Sequence, residues 1–375
     1  MSLRQKIAEE ISEKGPLPFS RYMELCLYDP ELGYYSRRVE QFGKAGDFYT
    51  SSDVHAVFGR LMARQFEEMW RALGSPERID VIELGPGRGL FARDVLDWAQ
   101  KKFPEFSGAL QYVLIEQSTV LRQRLASTLA DHVDSGKVSI RAHLGIGTSA
   151  SARVIFANEF FDALPVEVLS SIGELRLEEK DGKLVETWVP ARAEVRGFLD
   201  AYGVHPEEGE RVEVALVGQR VMAEVASQIE RGFFVTIDYG YTRDEQLAGR
   251  HRGTVTAYRH HSVSANPYEA PGEQDITAHV NFTALAAAAE EKGMQVQPLL
   301  TQSQFLMGIG EANQFADAFE ECHLPQERAK VALQLKHLIT PAGLGETFHV
   351  LVASKGVASE VADWLAGLSF GRHQT

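Results

Sequence analysis

Three glycines at alternating positions follow an apolar run that begins near residue 79. The run reads IDVIELGPGRGLF over residues 79–91 and contains Gly85, Gly87 and Gly89 shortly after the acidic Glu83. Glycines at this spacing allow a backbone turn to approach a ligand closely, and nucleotide phosphates are frequent ligands of such turns. Because Glu83 adds a carboxylate beside the turn, the chemistry of the ligand is open at this point.

The turn differs from two phosphate-binding motifs. A P-loop needs Lys and then Ser or Thr after its last glycine, and the dinucleotide fingerprint needs a glycine at the position of Leu90. A charged Glu83 would also repel a pyrophosphate by about 3 kcal/mol per charge pair, for a separation of ~5 Å and an effective dielectric of ~20. S-adenosylmethionine has no phosphate, and its sulfonium and amino groups are positive. The motif therefore favours S-adenosylmethionine, bound through Glu83, Gly85, Gly87 and Gly89.

A second acidic residue follows the next apolar run. YVLIEQS, residues 112–118, ends its buried stretch at Glu116 and continues with Gln117. A carboxylate at the end of the second strand can accept both ribose hydroxyls of an adenosine, so Glu116 and Gln117 are predicted to bind the cofactor. NAD shares this geometry. A negative charge at a helix N-terminus is the alternative role for Glu116.

Candidate catalytic residues follow a third apolar run. FANEFFDALP, residues 156–165, carries Asn158, Glu159 and Asp162 at a predicted strand end. Methyl transfer depends mainly on aligning the acceptor with the methyl group, and carboxylates can orient a guanidinium that stays charged at neutral pH. We therefore expect these three residues to be catalytic. The alternative is that Asp162 caps a short helix.

A polar segment near the N-terminus is a further candidate for cofactor binding. AGDFYTSSDVHAVFG, residues 45–59, contains Asp47, Thr50 and Ser52 before a predicted helix. These side chains are predicted to close over the cofactor. A helix N-cap is the alternative for the Ser-Ser-Asp part of the segment.

The elements that must position these residues alternate between strands and helices. Near-continuous apolar runs separated by amphipathic helices indicate an α/β fold with a mostly parallel sheet covered on both faces. Around Asp181-Gly182 the alternation changes to a hairpin pattern, which predicts an antiparallel β insertion. The expected regions are a helical N-terminal region (1–75), the first half of the core (76–164), the β insertion (165–205), the second half of the core with a substrate loop at 241–282 (206–300), and a helical segment with the last strand (301–375).

Composition excludes several classes of protein. The chain has 375 residues and a formal net charge of −14, which argues against nucleic acid as a partner. No apolar stretch approaches the ~18 residues of a membrane helix, so we expect no membrane insertion. The two cysteines and the histidines have no metal spacing, so no metal is expected. No signal or transit peptide is recognisable, and the expected location is the cytoplasm.

Four motifs together resemble a known family. ELGPGRG, KAGDFYTSSDVHAVFGRLMA, ANEFFDALPVEV and QDITAHVNFTAL occur in this order and resemble the MidA family of S-adenosylmethionine-dependent methyltransferases. The resemblance implies a Rossmann-like class I methyltransferase with a seven-stranded sheet and an active site near residues 46–52 and 158–162. Its mitochondrial branch implies a protein substrate, methylated on arginine, with a subunit of respiratory complex I as a candidate. The chain departs from the family at Asn281, where an acid is usual.

Two other functions remain open from the sequence. A catalytically silent assembly chaperone would keep S-adenosylmethionine binding without methyl transfer. A nicotinamide-dependent oxidoreductase would share the sheet and Glu116, but Glu83 and the missing glycine at position 90 disfavour it.

Overall fold

The structure is a computed structural model, which describes residues 1–37, 56–145, 152–259, 262–264, 266–358, 360 and 364–373. Its described residues form two compact units. The accessory unit comprises the described parts of Met1–Phe48, Phe160–Ala223 and Tyr239–Ala288. The core unit comprises the described parts of Tyr49–Glu159, Glu224–Asp238 and Ala289–Thr375.

The helices of the described residues are numbered in chain order. They are α1 (Leu3–Lys14), α2 (Phe19–Tyr28), α3 (Ala56–Ala72), α4 (Leu90–Lys102), α5 (Pro104–Ala109), α6 (Thr119–Thr128), α7 (Ala130–Asp134), α8 (Ala193–Tyr202), α9 (Leu216–Ser227), α10 (Arg243–Leu247), α11 (Phe282–Glu291), α12 (Gln302–Glu311), α13 (Ala316–Phe319) and α14 (Pro325–Ile339), with 3₁₀ helices at Tyr34–Ser36 and Ala366–His373. Among the described helices, none is both long enough and apolar enough to cross a membrane.

The strands of the described residues are numbered in the same way. They are β1 (Leu17–Pro18), β2 (Ile79–Leu84), β3 (Leu110–Ile115), β4 (Val138–Arg141), β5 (Arg153–Asn158), β6 (Glu167–Ser170), β7 (Gly173–Lys180), β8 (Lys183–Val189), β9 (Arg211–Val214), β10 (Gly232–Tyr241), β11 (Thr256–Arg259), β12 (Ser262–Ser264), β13 (Asp275–Thr277), β14 (Val280–Asn281), β15 (Gln295–Val296), β16 (Leu300–Thr301) and β17 (Phe348–Lys355).

The core unit is built on a mixed sheet with the order β15-β17-β10-β5-β2-β3-β4. The pairs β2–β3, β2–β5, β3–β4 and β5–β10 are parallel, and β15 and β16 each pair antiparallel with β17. The predicted mixed α/β class is confirmed. In the described residues nine strands are connected rather than the expected seven. Seven form the path above, β16 pairs beside it with β17, and β14 pairs with the last two residues of β10, which belong to the accessory unit.

Aromatic packing fixes the first helices of the core unit on this sheet. The rings of Phe91 in α4 and Phe156 in β5 stack with centroids 4.7 Å apart. Phe66 in α3 meets Phe156 edge-on at 5.6 Å, and Phe58 lies 5.4 Å from Phe91. All four rings are buried, so helix α4, which follows the glycine turn, is held by dense packing.

The accessory unit contains the predicted antiparallel insertion. Its sheet has the order β1-β7-β6-β9, with β8 paired to β7 across the Asp181-Gly182 turn. Both turn residues have positive φ, 51° and 77°, which is the geometry that an Asp-Gly hairpin turn requires. Helices α1 and α2 pack on this sheet through a core that includes Ile7, Phe19 and Leu177.

Two of our expectations for the accessory unit are wrong in detail. The sequence pattern of residues 208–231 predicts one continuous helix, but Arg211–Val214 forms β9, which pairs antiparallel with β6, and the helix begins only at Leu216. The substrate loop expected at 241–282 contains α10 and the described three-stranded sheet β12-β11-β13. The division of the chain into five regions stays a prediction.

Candidate functional site

The glycine turn connects β2 to α4 in the core unit. Gly85, Gly87 and Gly89 have φ values of 62°, 53° and 77°, a left-handed region that strains residues with a Cβ. Gly89 is the N-cap of α4, and no side-chain hydrogen bond caps this helix. The first N–H groups of a helix have no partner within it. The N–H groups of Gly85 and Gly89 donate to the carbonyls of Ile115 and Pro86, so the backbone donors offered to a ligand belong mainly to the first residues of α4. Such donors fit a ligand with carboxylate or hydroxyl oxygens.

Close packing adds a second requirement at Gly89. A Cβ at this position would lie 2.8 Å from Cδ2 of Leu125 in α6 and 3.3 Å from Cδ1 of Leu129. The turn therefore fits tightly against the helix that follows β3. This contact explains why the third glycine stands at position 89 even though position 90 would complete a dinucleotide fingerprint.

Glu83 is buried in β2, two residues before the first glycine of the turn. It is 5% exposed, and its Oε2 accepts a 2.9 Å hydrogen bond from the hydroxyl of Tyr112 in β3. Burial raises the pKa of Glu83 to about 8. The carboxyl group is therefore mostly protonated at neutral pH, and our argument that its charge repels a pyrophosphate needs correction. The glycine geometry carries the cofactor assignment instead.

Glu116 lies next to the turn at the same edge of the sheet. The last residues of β2 and β3, Leu84 and Ile115, are paired in register, so Glu116 follows directly beside the glycine turn. Oε1 of Glu116 accepts a 2.7 Å hydrogen bond from the backbone N–H of Ser118. Burial raises the pKa of Glu116 to about 7. The adjacent Gln117 is exposed, and both residues keep their predicted cofactor role as a prediction.

Asn158 is the last residue of β5 in the core unit, and Glu159 follows it directly. Ala157 pairs with Leu84 of β2, so these residues emerge beside the glycine turn. Nδ2 of Asn158 donates a 3.1 Å hydrogen bond to Oε1 of Glu159, and Oδ1 of Asn158 is buried without a hydrogen-bond partner among the described residues. Glu159 has a φ of 49°, a strained conformation that is common at functional sites.

Asp162 belongs to the accessory unit and is 6% exposed. Its Oδ2 accepts a 2.5 Å hydrogen bond from the hydroxyl of Tyr239, and its backbone carbonyl accepts one of 2.9 Å from Ala278. Burial raises the pKa of Asp162 to about 6, while the bond from Tyr239 lowers it. Asp162 caps none of the described helices.

Three predicted cofactor-binding residues are not among those that the structure describes, and two tyrosines are further residues of the site. Asp47, Thr50 and Ser52 lie outside the described residues. Tyr112 and Tyr239, which hold the carboxyl groups of Glu83 and Asp162, were not anticipated from the sequence. Their position inside apolar runs could have indicated this role, because a tyrosine hydroxyl that is buried in a sheet usually needs a hydrogen-bond partner.

The sheet order and the glycine turn define an α/β protein of the methyltransferase class. A model of the S-adenosyl-L-methionine-dependent methyltransferase family matches residues 61–300. The chain belongs to this family, and its cofactor is S-adenosylmethionine. The chain is therefore an enzyme, a methyltransferase for which S-adenosylmethionine donates the methyl group.

Individual relatives agree with this membership. The chain is 29% identical to "Protein arginine methyltransferase NDUFAF7 homolog, mitochondrial" of Drosophila melanogaster, over 96% of this chain and 87% of that protein. It is 26% identical to the corresponding protein of Homo sapiens, over 91% and 80%. A protein from Burkholderia thailandensis, solved bound to S-adenosyl-homocysteine, is 28% identical with a TM-score of 0.84, over 100% of this chain and 96% of that one.

These relatives correct one expectation. The cytoplasmic location inferred from the N-terminal residues is contradicted, because the matched arginine methyltransferases are named as mitochondrial. The inference relied on the lack of a recognisable transit peptide, and such a lack does not determine the compartment.

Proposed function

We propose that this methyltransferase transfers the methyl group to an arginine side chain of a protein. The observation that carries the proposal is the buried carboxyl group of Asp162, held by the hydroxyl of Tyr239 at 2.5 Å. With a pKa of about 6, Asp162 is ionised at neutral pH and is a stronger base than an exposed aspartate. The names of the relatives support arginine as the acceptor.

The proposed reaction is a displacement at the methyl carbon. When bound, S-adenosylmethionine supplies an electrophilic methyl group, and the carbon–sulfur bond breaks with its electron pair left on sulfur. A guanidinium nitrogen forms the new bond to carbon, and the proton that this nitrogen loses passes to the carboxylate of Asp162. Glu159 orients the guanidinium by charge-assisted hydrogen bonds, and Asn158 supplies a further acceptor through Oδ1.

Residues of the core unit hold the cofactor in this proposal. Backbone N–H groups of the glycine turn bind the methionine portion, and Glu116 accepts the ribose hydroxyls. Glu83 lies in β2 just before the turn, where the hydroxyl of Tyr112 holds its carboxyl group. The complete proposed set is Glu83, Gly85, Gly87, Gly89, Glu116, Gln117, Asp47, Thr50 and Ser52.

The acceptor protein in this proposal is a subunit of respiratory complex I. The family resemblance supports this choice, since one branch of the family methylates such a subunit.

The test uses purified enzyme, S-adenosylmethionine with a tritiated methyl group, and extract from cells that lack this protein. Acid hydrolysis and amino-acid analysis of the labelled protein identify the modified side chain. We expect methylarginine, and mass spectrometry of the labelled band then identifies the acceptor. Label on another amino acid contradicts the arginine assignment. Binding of S-adenosylhomocysteine without any transfer supports the silent chaperone instead.

Two variants and one control test the catalytic residues. Glu159→Gln and Asp162→Asn keep the shape of the side chains but remove the charge, so each is expected to lower kcat at least tenfold. Glu13→Gln is the control, because Glu13 is exposed on α1. Unchanged transfer by both variants would show that these carboxyl groups are not catalytic.

A further inference from the structure

Tyr239 connects the carboxyl group of Asp162 to a group of half-buried and buried side chains in the accessory unit. Its hydroxyl lies 2.5 Å from Oδ2 of Asp162, the distance of a charge-assisted bond from a hydroxyl to a carboxylate. Tyr239 is half-buried near the end of β10. This bond stabilises the ionised form of Asp162 against the cost of burial.

The residues that follow β13 hold both partners of this bond. The backbone N–H of Ala278 donates to the carbonyl oxygen of Asp162 at 2.9 Å. The ring of His279 meets the ring of Tyr239 edge-on, with centroids 5.3 Å apart and an interplanar angle of 81°. Consecutive residues of one segment thus contact Asp162 and its donor.

A chain of hydrogen bonds fixes that segment in turn. The backbone N–H of His279 donates to Oγ1 of Thr254 at 3.1 Å. The Thr254 hydroxyl donates to Oε2 of Glu213 at 3.0 Å, and the Thr254 N–H donates to Oε1 at 2.8 Å. Glu213 is 3% exposed in β9, so the position of His279 is anchored in the antiparallel sheet.

The charges around this group favour a neutral imidazole. Nδ1 of His279 lies 3.0 Å from Nδ1 of His251, and burial together with His251 lowers the pKa of His279 to about 4. Within the part of the chain that the structure describes, Tyr35 and Tyr258 are further titratable groups close to Asp162.

These two tyrosines also face a second carboxyl group. The hydroxyl of Tyr35 lies 3.0 Å from Oδ1 of Asp275, and Tyr258 is paired with Asp275 in register. The hydroxyl of Tyr239 lowers the pKa of Asp162 more than the backbone N–H groups of Ala163 and Asp162 do, so its proton is a main source of stabilisation for the Asp162 charge.

We propose that Tyr239 is a positioning residue for methyl transfer, which fixes the carboxylate of Asp162 in one orientation and keeps it ionised, while His279 holds the ring of Tyr239. The inference rests on the proposed function, since it takes Asp162 as the group that receives the proton. It assigns no contact between Tyr239 and the substrate.

The first test measures the titration of Asp162 directly. The protein is labelled with ¹³Cγ-aspartate, and the Asp162 resonance is identified by its loss in Asp162→Asn. In Tyr239→Phe the pKa of Asp162 is expected to rise by roughly one unit or more, which corresponds to the loss of one hydrogen bond to a charged group. An unchanged pKa in this variant overturns the inference.

Tyr28→Phe is the matched control. The hydroxyl of Tyr28 donates at 2.9 Å to the backbone carbonyl of Ala163, so this variant loses a neighbouring phenol without touching the carboxyl group. It is expected to leave the Asp162 titration unshifted, and an equal shift in both variants overturns a specific role for Tyr239. Binding of S-adenosylhomocysteine, measured by calorimetry, checks that each variant is folded.

The second test separates this inference from the proposed function. With the arginine acceptor identified above, the acid limb of kcat/KM against pH is expected to move upward in Tyr239→Phe by the same amount as the titration. If the wild-type enzyme methylates arginine and its kcat/KM profile against pH coincides with that of Tyr239→Phe, the inference is overturned and the proposed function stands. No wild-type transfer to arginine overturns the proposed function and the catalytic half of the inference, whereas the titration still decides the coupling of Tyr239 to Asp162.

Discussion

The hydroxyl of Tyr112 donates a 2.9 Å hydrogen bond to Oε2 of Glu83 across two neighbouring strands of the core sheet. Both side chains are buried, and burial raises the pKa of Glu83 to about 8. The acid beside the glycine turn is therefore mainly a neutral member of the sheet at pH 7. The contribution of Glu83 to the stability of the folded protein is therefore expected to depend on pH, because its carboxyl group loses a proton as the pH rises.

Glu83→Gln is expected to become more stabilising, relative to wild type, as the pH rises from 5 to 8. The folded protein binds the Glu83 proton more tightly than the unfolded chain, so the stability from this group is full below its unfolded pKa and is lost as the pH passes about 8. The difference over this interval is on the order of 3 kcal/mol. Urea unfolding of both proteins at each pH measures it, and a constant difference would show that Glu83 is charged in the fold.

Cofactor affinity is expected to increase with pH through the ionisation of Glu116. The pKa of Glu116 is about 7, and the carboxylate accepts ribose hydroxyls better than the acid does. The dissociation constant of S-adenosylhomocysteine should fall about tenfold between pH 6 and pH 8, in step with the ionised fraction. Calorimetry on Glu116→Gln is the comparison, since its affinity should be weaker and flat over this range. A parallel pH dependence in the variant would assign the effect to another group.

Gly87→Ala is expected to weaken S-adenosylhomocysteine binding at least tenfold. Gly87 has a φ of 53°, and a side chain there strains the turn by ~1 kcal/mol and intrudes on the space of the methionine portion. Gly209→Ala is the matched control, because Gly209 has a φ of 81° and a Cβ would meet nothing within 4 Å. Both variants should unfold at lower temperature, but only Gly87→Ala should lose affinity.

Asn281→Asp is expected to destabilise the accessory unit by about 1–3 kcal/mol at pH 8. Nδ2 of Asn281 donates to the carbonyl of Tyr202 at 2.9 Å, and Oδ1 accepts from the N–H of Ala284 in α11 at 3.0 Å. An aspartate keeps the acceptor but turns an oxygen toward a carbonyl. The loss should shrink at pH 5, where a protonated aspartate can donate, and denaturant unfolding at both pH values measures this. The usual acid of the family at this position therefore does not fit the contacts of this chain.

Local signals accounted for much of the fold. The Asp181-Gly182 hairpin and the glycine turn depend on neighbouring residues, so they could be predicted. The strand β9 could not, because its pairing with β6 joins residues more than forty positions apart. The residues of the candidate site at the ends of β2, β3 and β5 were predictable from the parallel sheet.

The ionisation of the site was not predictable from the sequence. The charge of Glu83 depends on Tyr112, which lies in another strand, and that of Asp162 depends on Tyr239, seventy-seven positions away. Both effects arise from burial, which a motif does not record. For this reason the sequence indicated acidic residues at these positions, but the argument that a charged Glu83 repels a pyrophosphate was wrong.

The order of strands in the core unit has a consequence for biosynthesis. Strand β5 is hydrogen-bonded on one side to β2 and on the other to β10, yet residues 159–231 separate β5 from β10 in the chain. A nascent chain therefore carries β5 as an open edge until the ribosome has translated the whole intervening stretch. Open edges pair readily with other chains, so slow translation of this stretch, or a truncation within it, is expected to leave an aggregation-prone half-sheet.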